Sequence, residues 1–192
     1  MKVLKYLLII CCAAAAGCSY ESSTPDAQTG LFQTSEQVKA SEVKVNKKVN
    51  LASYRRLIVL GLQNNVFSYE NNATDFWQNS IDSWKFFEHV VLADQLADFL
   101  NSHGYGNYSS LQFVGIEDFQ PVQQVYGNFL VAEITCIRNG GVYTLTFKVR
   151  DAKSGAIYFE VQRSANPIIL GLDSTLFYPV LNRFHQWLME NK

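Results

Sequence analysis

A thiol is a nucleophile only where its surroundings make it one, so the cysteines are the natural place to look for chemistry in this 192-residue chain. Cys18 follows Ala15-Ala16-Gly17, at the end of an apolar run from Val3 to Ala16 that Lys2 and Lys5 precede or punctuate. A charged start, an apolar stretch and small residues before a cleavage point are what a secretory leader needs. The run is about 14 residues, whereas a bilayer span needs roughly 20, which favours a leader over a transmembrane helix. Cleavage before Cys18 removes Cys11 and Cys12 and leaves Cys136 as the other thiol of the mature chain. Leu130, Ala132, Ile134 and Cys136 alternate onto one strand face, where a free cysteine behaves as a small hydrophobe.

The remaining acid–base and ligand residues form no motif. His89, His103 and His185 lack the i, i+4 spacing or cysteine partners that a zinc site favours, so no metal and no cofactor are expected. Glu88, Asp94, Asp98 and the pair Glu117-Asp118 could supply two carboxylates for glycoside hydrolysis, but they read more simply as a solvated helix face and a loop start. No nucleophile elbow, phosphate loop or dinucleotide fingerprint is present. The expected class is therefore a non-enzyme, with a periplasmic hydrolase as the least favoured alternative.

Small residues followed by cysteine resemble a bacterial lipobox, with Ala15 where leucine is commoner. The resemblance implies a diacylglycerol on the Cys18 thiol and a third acyl chain on its amine. One acyl chain holds a protein only marginally, at about 0.8 kcal/mol per buried methylene, and two or three make attachment stable. Ser19 in place of aspartate implies, by the same resemblance, the outer membrane, facing the periplasm. An oxidising compartment with one thiol left gives no intramolecular disulfide, so the domain is held by its core. Loss of the leader takes two lysines and no acids, leaving 14 basic and 17 acidic residues, a balance of about −3. Such a chain has no basic field for nucleic acid.

The elements follow from composition and period. Residues 18–50 are rich in Ser, Thr, Gln, Lys and Glu, a composition that buries too little apolar surface to order itself, and they read as a tether. As a coil it reaches roughly 30 Å and pulled straight about 100 Å. Val43, Val45 and Val49 keep partial period-2 spacing, so its end can also join a sheet as an edge strand. A single globular domain is expected over 51–192, large enough for one core. Leu57-Ile58-Val59-Leu60 reads as a strand covered on both faces. Residues 63–79 read as a long loop, with room for a short helix. Residues 80–102 read as a helix with Phe86, Val90, Ala93, Ala97 and Leu100 as its stripe, and 111–116 as a second strand. Residues 129–137, 142–150 and 156–163 alternate with period two around the turns Asn139-Gly140-Gly141 and Asp151-Ala152-Lys153-Ser154-Gly155. A helix from about Thr175 closes the chain, capped by Asp173 or Ser174, with Pro179 tolerable only in its first turn.

This order predicts an α+β fold: one mixed sheet, made of a β-α-β unit followed by a three-stranded antiparallel meander, with two main helices packed on one face. Arg56 to Leu62, the helix Leu92 to Tyr105 with its ending Ala93-Asp94-Gln95-Leu96-Ala97-Asp98-Phe99-Leu100-Asn101-Ser102-His103-Gly104-Tyr105, the strand Leu130 to Thr135 and the segment Phe147 to Ile157 together resemble bacterial outer-membrane lipoproteins of the CsgG and TolB-amino-terminal type. The resemblance covers most of residues 55–190 and implies an accessory or assembly role in the cell envelope, exerted by contact. Its surface would come from Phe67, Tyr69, Phe76, Trp77, Tyr105, Tyr108 and Tyr126, in a chain that is 14% aromatic, and from the apolar loop around Ile168, Ile169 and Leu170. The same aromatics could instead stack on glycan, giving a peptidoglycan binder, or pack their own loops onto the sheet. Expected partners are the membrane through the lipid, another envelope protein, and copies of the chain itself.

Overall fold

The computed structural model describes residues 24–66, 70–106, 116–166 and 171–192. Its strands are β1 (Val43–Asn46), β2 (Arg56–Val59), β3 (Gln63–Asn64), β4 (His89–Leu92), β5 (Leu130–Asn139), β6 (Val142–Asp151) and β7 (Ile157–Ala165). The helices are α1 (Glu70–Ser83), α2 (Leu96–Ser102), α3 (Gln120–Tyr126) and α4 (Tyr178–Glu190). Among the described residues the strands form one mixed sheet in the order β1-β7-β6-β5-β2-β4, with β3 beside β5. β2 runs parallel to both β4 and β5, while β5, β6 and β7 form an antiparallel meander. The α+β class, with one mixed sheet holding a parallel unit and an antiparallel meander, is as the residue pattern predicts.

Alternation explains the core. Leu57 and Val59 point to one face with Ala132, Ile134, Leu145 and Phe147, and there the two long helices, α1 and α4, cover them. Trp77 of α1 stacks on Phe147 at 5.0 Å, and Phe184 of α4 meets the same ring at 4.9 Å. Cys136 lies in this layer, fully buried, and burial pushes its thiol up to about 11. Ile58 and Leu60 point the other way, under Leu96 and Leu100 of α2 and Val122 of α3, so the unbroken apolar run does mark a strand covered on both faces. The expected turn chemistry is present as well: the Asp151 carboxylate accepts from Lys153 N at 3.0 Å and Ser154 Oγ at 2.7 Å, and Gly155 sits at φ +69°.

Three expectations need correction. The helix predicted over 80–102 is divided: α1 ends at Ser83, Lys85 takes φ +56°, and His89–Leu92 is a strand. Val90, Val91 and Leu92 pair in register with Leu57, Ile58 and Val59, and this sheet pairing overrides a stripe that fits period 3.6 equally well. The loop predicted over 63–79 is mostly α1, whose buried face is Ala73, Phe76, Trp77, Ser80 and Ile81. Its asparagines and serines depress helix propensity, and packing of that face supplies what propensity lacks. Residues 24–50, read as a tether, are docked on the domain from Thr24 onward, and β1 adds to the edge of β7. The edge-strand alternative for Val43 and Val45 is the one the structure takes. The strand predicted over 111–116 lies outside the described residues up to position 115, and Ile116 opens a 3-10 turn, Ile116–Phe119.

The C-terminal stripe of Phe177, Val180, Leu181, Phe184, Trp187 and Leu188 is buried as expected. Asp173 and Ser174 do not cap this helix; they lie within a wider π turn, Asp173–Phe177, that leads into α4. Pro179 follows at the start of α4, directly after the π turn, and the Thr175 carbonyl four residues before it accepts from Arg163 Nε at 2.7 Å instead.

Candidate functional site

Of the residues predicted to make contacts, Cys18, Phe67, Tyr69, Tyr108, Ile168, Ile169 and Leu170 lie outside the described residues. Three of the others are corrected by burial. Phe76 is packed against Phe177 and Tyr178, Trp77 is fully enclosed, and Tyr126 is 1% exposed. Tyr105 is half-buried and meets Tyr126 edge-on at 5.3 Å. These rings hold their own segments on the sheet and present no stacking platform. Tyr126 is also covered by the Arg56 guanidinium, 4.5 Å from the ring centre, which donates to the Tyr126 carbonyl; burial pushes the phenol up to about 12.

Asp82, Glu88 and His89 line one shallow hollow of about 290 Å³ beside Phe99, and His185 lines a different one. His89 and His103 flank the Phe99 ring at 5.2 and 4.1 Å and stand 6.1 Å from each other, a proximity that linear spacing did not reveal. His185 packs instead on Trp84 and Phe86. Among the described residues no group of three or more His, Cys, Asp or Glu side chains is arranged to hold a metal. Glu88 pairs with Arg55 at 3.2 Å, Asp94 and Asp98 are exposed, and Asp118 is half-buried on the 3-10 turn.

One open cleft of about 690 Å³ lies between the turn Thr24–Gly30 and helices α1 and α4, lined by Phe76, Ser83, Trp84, His185 and Met189. Its wall is built locally. The Asp26 carboxylate accepts from Thr29 N at 2.8 Å, Gln28 N at 3.1 Å and Thr29 Oγ1 at 2.9 Å, and these bonds, those of Thr29 first, hold its pKa below the ordinary value. Gly30, at φ +70°, gives its carbonyl to Trp84 Nε1 at 2.8 Å. A Cβ at position 30 would lie 2.7 Å from His185 Nε2, and burial lowers the pKa of that imidazole. The serine hydroxyls of the cleft donate back into α1, Ser80 Oγ to the Phe76 carbonyl and Ser83 Oγ to the Ser80 carbonyl. The cleft thus offers a ring, an imidazole and a thioether without a nucleophile and base in partnership.

Sequence reasoning missed the residues that dock the N-terminal segment. Phe32 is 3% exposed, stacked on Tyr178 at 4.7 Å and 9°, and the Asn182 amide bonds both its N–H, at 2.7 Å, and its carbonyl, at 2.9 Å. Arg163, also buried, pairs with Glu36 at 2.6 Å and Glu42 at 3.0 Å while donating to the Gln37 and Thr175 carbonyls. A signal for it was present: Phe159, Val161 and Arg163 alternate onto the core face of β7, and an arginine in that phase needs anionic company.

No protein-family model matches the chain, and no curated protein sequence does. Several solved structures are similar in outline. The LpoB C-terminal domain from Salmonella enterica is 16% identical, with a TM-score of 0.44 over 59% of this chain and 84% of that one. Lipoprotein GNA1162 from Neisseria meningitidis is 16% identical, with a TM-score of 0.43 over 68% and 96%. The PelC dodecamer from Paraburkholderia phytofirmans is 14% identical, with a TM-score of 0.43 over 76% and 95%. Likeness at this level carries no argument about what this chain does.

Proposed function

We propose that the protein is an outer-membrane-anchored, periplasm-facing lipoprotein that acts as a non-catalytic accessory or assembly factor, binding another envelope protein. The observation that carries this reading is the Ala15-Ala16-Gly17-Cys18 leader end, placed six residues before Thr24, which borders the cleft. Six peptide units span at most about 20 Å, so a lipid on Cys18 would hold Thr24, and the cleft that Thr24 borders, close to the membrane. No helix of the described residues is long and apolar enough to cross a membrane, and the lipid would then be the attachment. Confinement at a surface raises effective concentration, which lets a modest contact be well occupied. Ion-paired or solvated carboxylates and self-bonded serine hydroxyls fit a contact role better than a hydrolytic one.

The test is membrane fractionation of the full precursor and of Cys18→Ala, with intact-mass analysis of the amino-terminal peptide. The reading expects acyl mass on Cys18, sedimentation with outer membranes, and a soluble, folded variant. An unmodified Cys18, or wild type recovered free in the periplasm, would refute it. Retention on purified peptidoglycan sacculi, with no protein captured, would support the glycan-binding alternative.

A further inference from the structure

The N-terminal segment is bound to its own domain in the manner of a ligand. Between residues 24 and 50 Phe32 is the one fully buried side chain; Leu31, Val38, Val43, Val45 and Val49 are only half covered. Its other attachments are point contacts. The Asn182 side chain reads the Phe32 backbone on both sides, and Thr34 Oγ1 donates to the Ser174 carbonyl at 2.7 Å. A single buried guanidinium holds two carboxylates, and four residues of β1, with a register shift between Val43 and Val45, lie along β7. One aromatic in a pocket, one charge pair at the back and a strand added to an edge are the elements of peptide recognition by β-augmentation. A segment with so few buried apolar contacts opens at lower cost than the sheet beneath it.

We propose that residues 30–46 are a displaceable strap filling a peptide-binding groove formed by β7, Arg163, Tyr178 and Asn182, and that the groove accepts in its place an extended segment of a partner. Charge complementarity defines that segment. Arg163 is 5% exposed in its side chain and must be met by an anion, so the incoming strand carries an aromatic residue followed four positions later by a carboxylate, as Phe32 is followed by Glu36. Displacement also frees the chain from Thr24 to Asn46 and lengthens the leash from Cys18. The partner's location in the envelope rests on the accessory reading above; the groove does not.

The test uses the mature chain and a labelled synthetic peptide of residues 30–46. Amide exchange of Phe32 and of the β1 residues paired with β7 should run at least about a hundredfold faster than that of the paired residues of β5 and β6. Phe32→Ala protein should bind the peptide at least about tenfold more tightly than wild type, and a peptide with both Glu36→Gln and Glu42→Gln should lose at least about tenfold. Exchange of strap and sheet at one common rate would overturn the proposal, as would no binding to the Phe32→Ala protein. Should that variant fail to fold, Glu36→Gln/Glu42→Gln protein takes its place; if neither folds, the strap is part of the fold and the proposal is wrong. A failed peptide titration beside acylated, membrane-bound Cys18 would remove the groove and leave the accessory reading standing.

Discussion

Cys136, His185 and Gly30 each carry a consequence of burial that can be measured one side chain at a time. Because burial raises the Cys136 thiol to about 11, almost none of it is thiolate at pH 8, and it should resist iodoacetamide in the native protein and react at once in denaturant. Stoichiometric labelling of Cys136 in the folded Cys18→Ala mature chain would contradict its place in the core. The neutral His185 imidazole sits between Gly30 and the Trp84 ring, and burial lowers its pKa from the ordinary 6.5. The unfolded chain then takes up a proton that the folded one resists, so this contribution to stability is present above about pH 6.5 and lost as the pH falls through the lower folded value. Thermal midpoints should decline from pH 7 to pH 5 more steeply in wild type than in His185→Gln, and equal slopes would contradict the assignment. Gly30→Ala combines positive φ with a close approach to His185 and should cost about 1–3 kcal/mol by denaturant unfolding. A neutral substitution would mean that the 24–30 turn is not docked.

At the scale of elements, what could be read from the chain depended on whether one physical signal acted alone. The meander strands were legible because period two, glycine turns and the Asp151 side-chain bonds all agree. The last helix was legible because its stripe from Phe177 to Leu188 is long and strongly apolar. Residues 80–102 were misread because Val90 and Ala93 satisfy a helical stripe as well as a strand register, and only the pairing of β4 with β2 decides between them. α1 is hidden because its apolar residues are few and its remaining positions are Glu, Asn, Thr, Asp, Gln and Ser. The same helix shows why candidate contact residues were assigned wrongly: Phe76 and Trp77 were placed in a loop, and as α1 residues they face Phe147 and Phe177. Trp77→Ala should therefore cost about 3–5 kcal/mol of unfolding free energy. Asn79→Ala, on the exposed side of α1, should be neutral or slightly stabilising. If both changes were neutral, α1 would not be packed as described.

For the whole molecule, the proposed lipid on Cys18 and the docked strap would together define how far the domain stands from the membrane. Composition alone gives residues 18–50 a reach of roughly 30 to 100 Å. Docking through Phe32, Asn182 and Arg163 holds the segment that follows Thr24 on the domain, and six peptide units, about 20 Å at most, separate Thr24 from Cys18. That contraction was not legible because no single strap residue is apolar enough to announce a buried strand; the interaction is distributed between positions more than 120 apart in the chain. A leader is read by local pattern alone, and Cys18 and the residues before it lie outside the described residues. A lipid-confined domain that works by contact should lose its cellular effect when Cys18→Ala releases it, with its unfolding midpoint unchanged; full activity of the soluble form at native expression would contradict confinement. The most direct test of this reading is crosslinking of the full-length protein in its native cells, followed by mass spectrometry of the captured species. The account predicts one envelope protein recovered in stoichiometric yield from wild type and lost from Cys18→Ala, whereas recovery of nothing beyond sacculus fragments or the protein itself would contradict it.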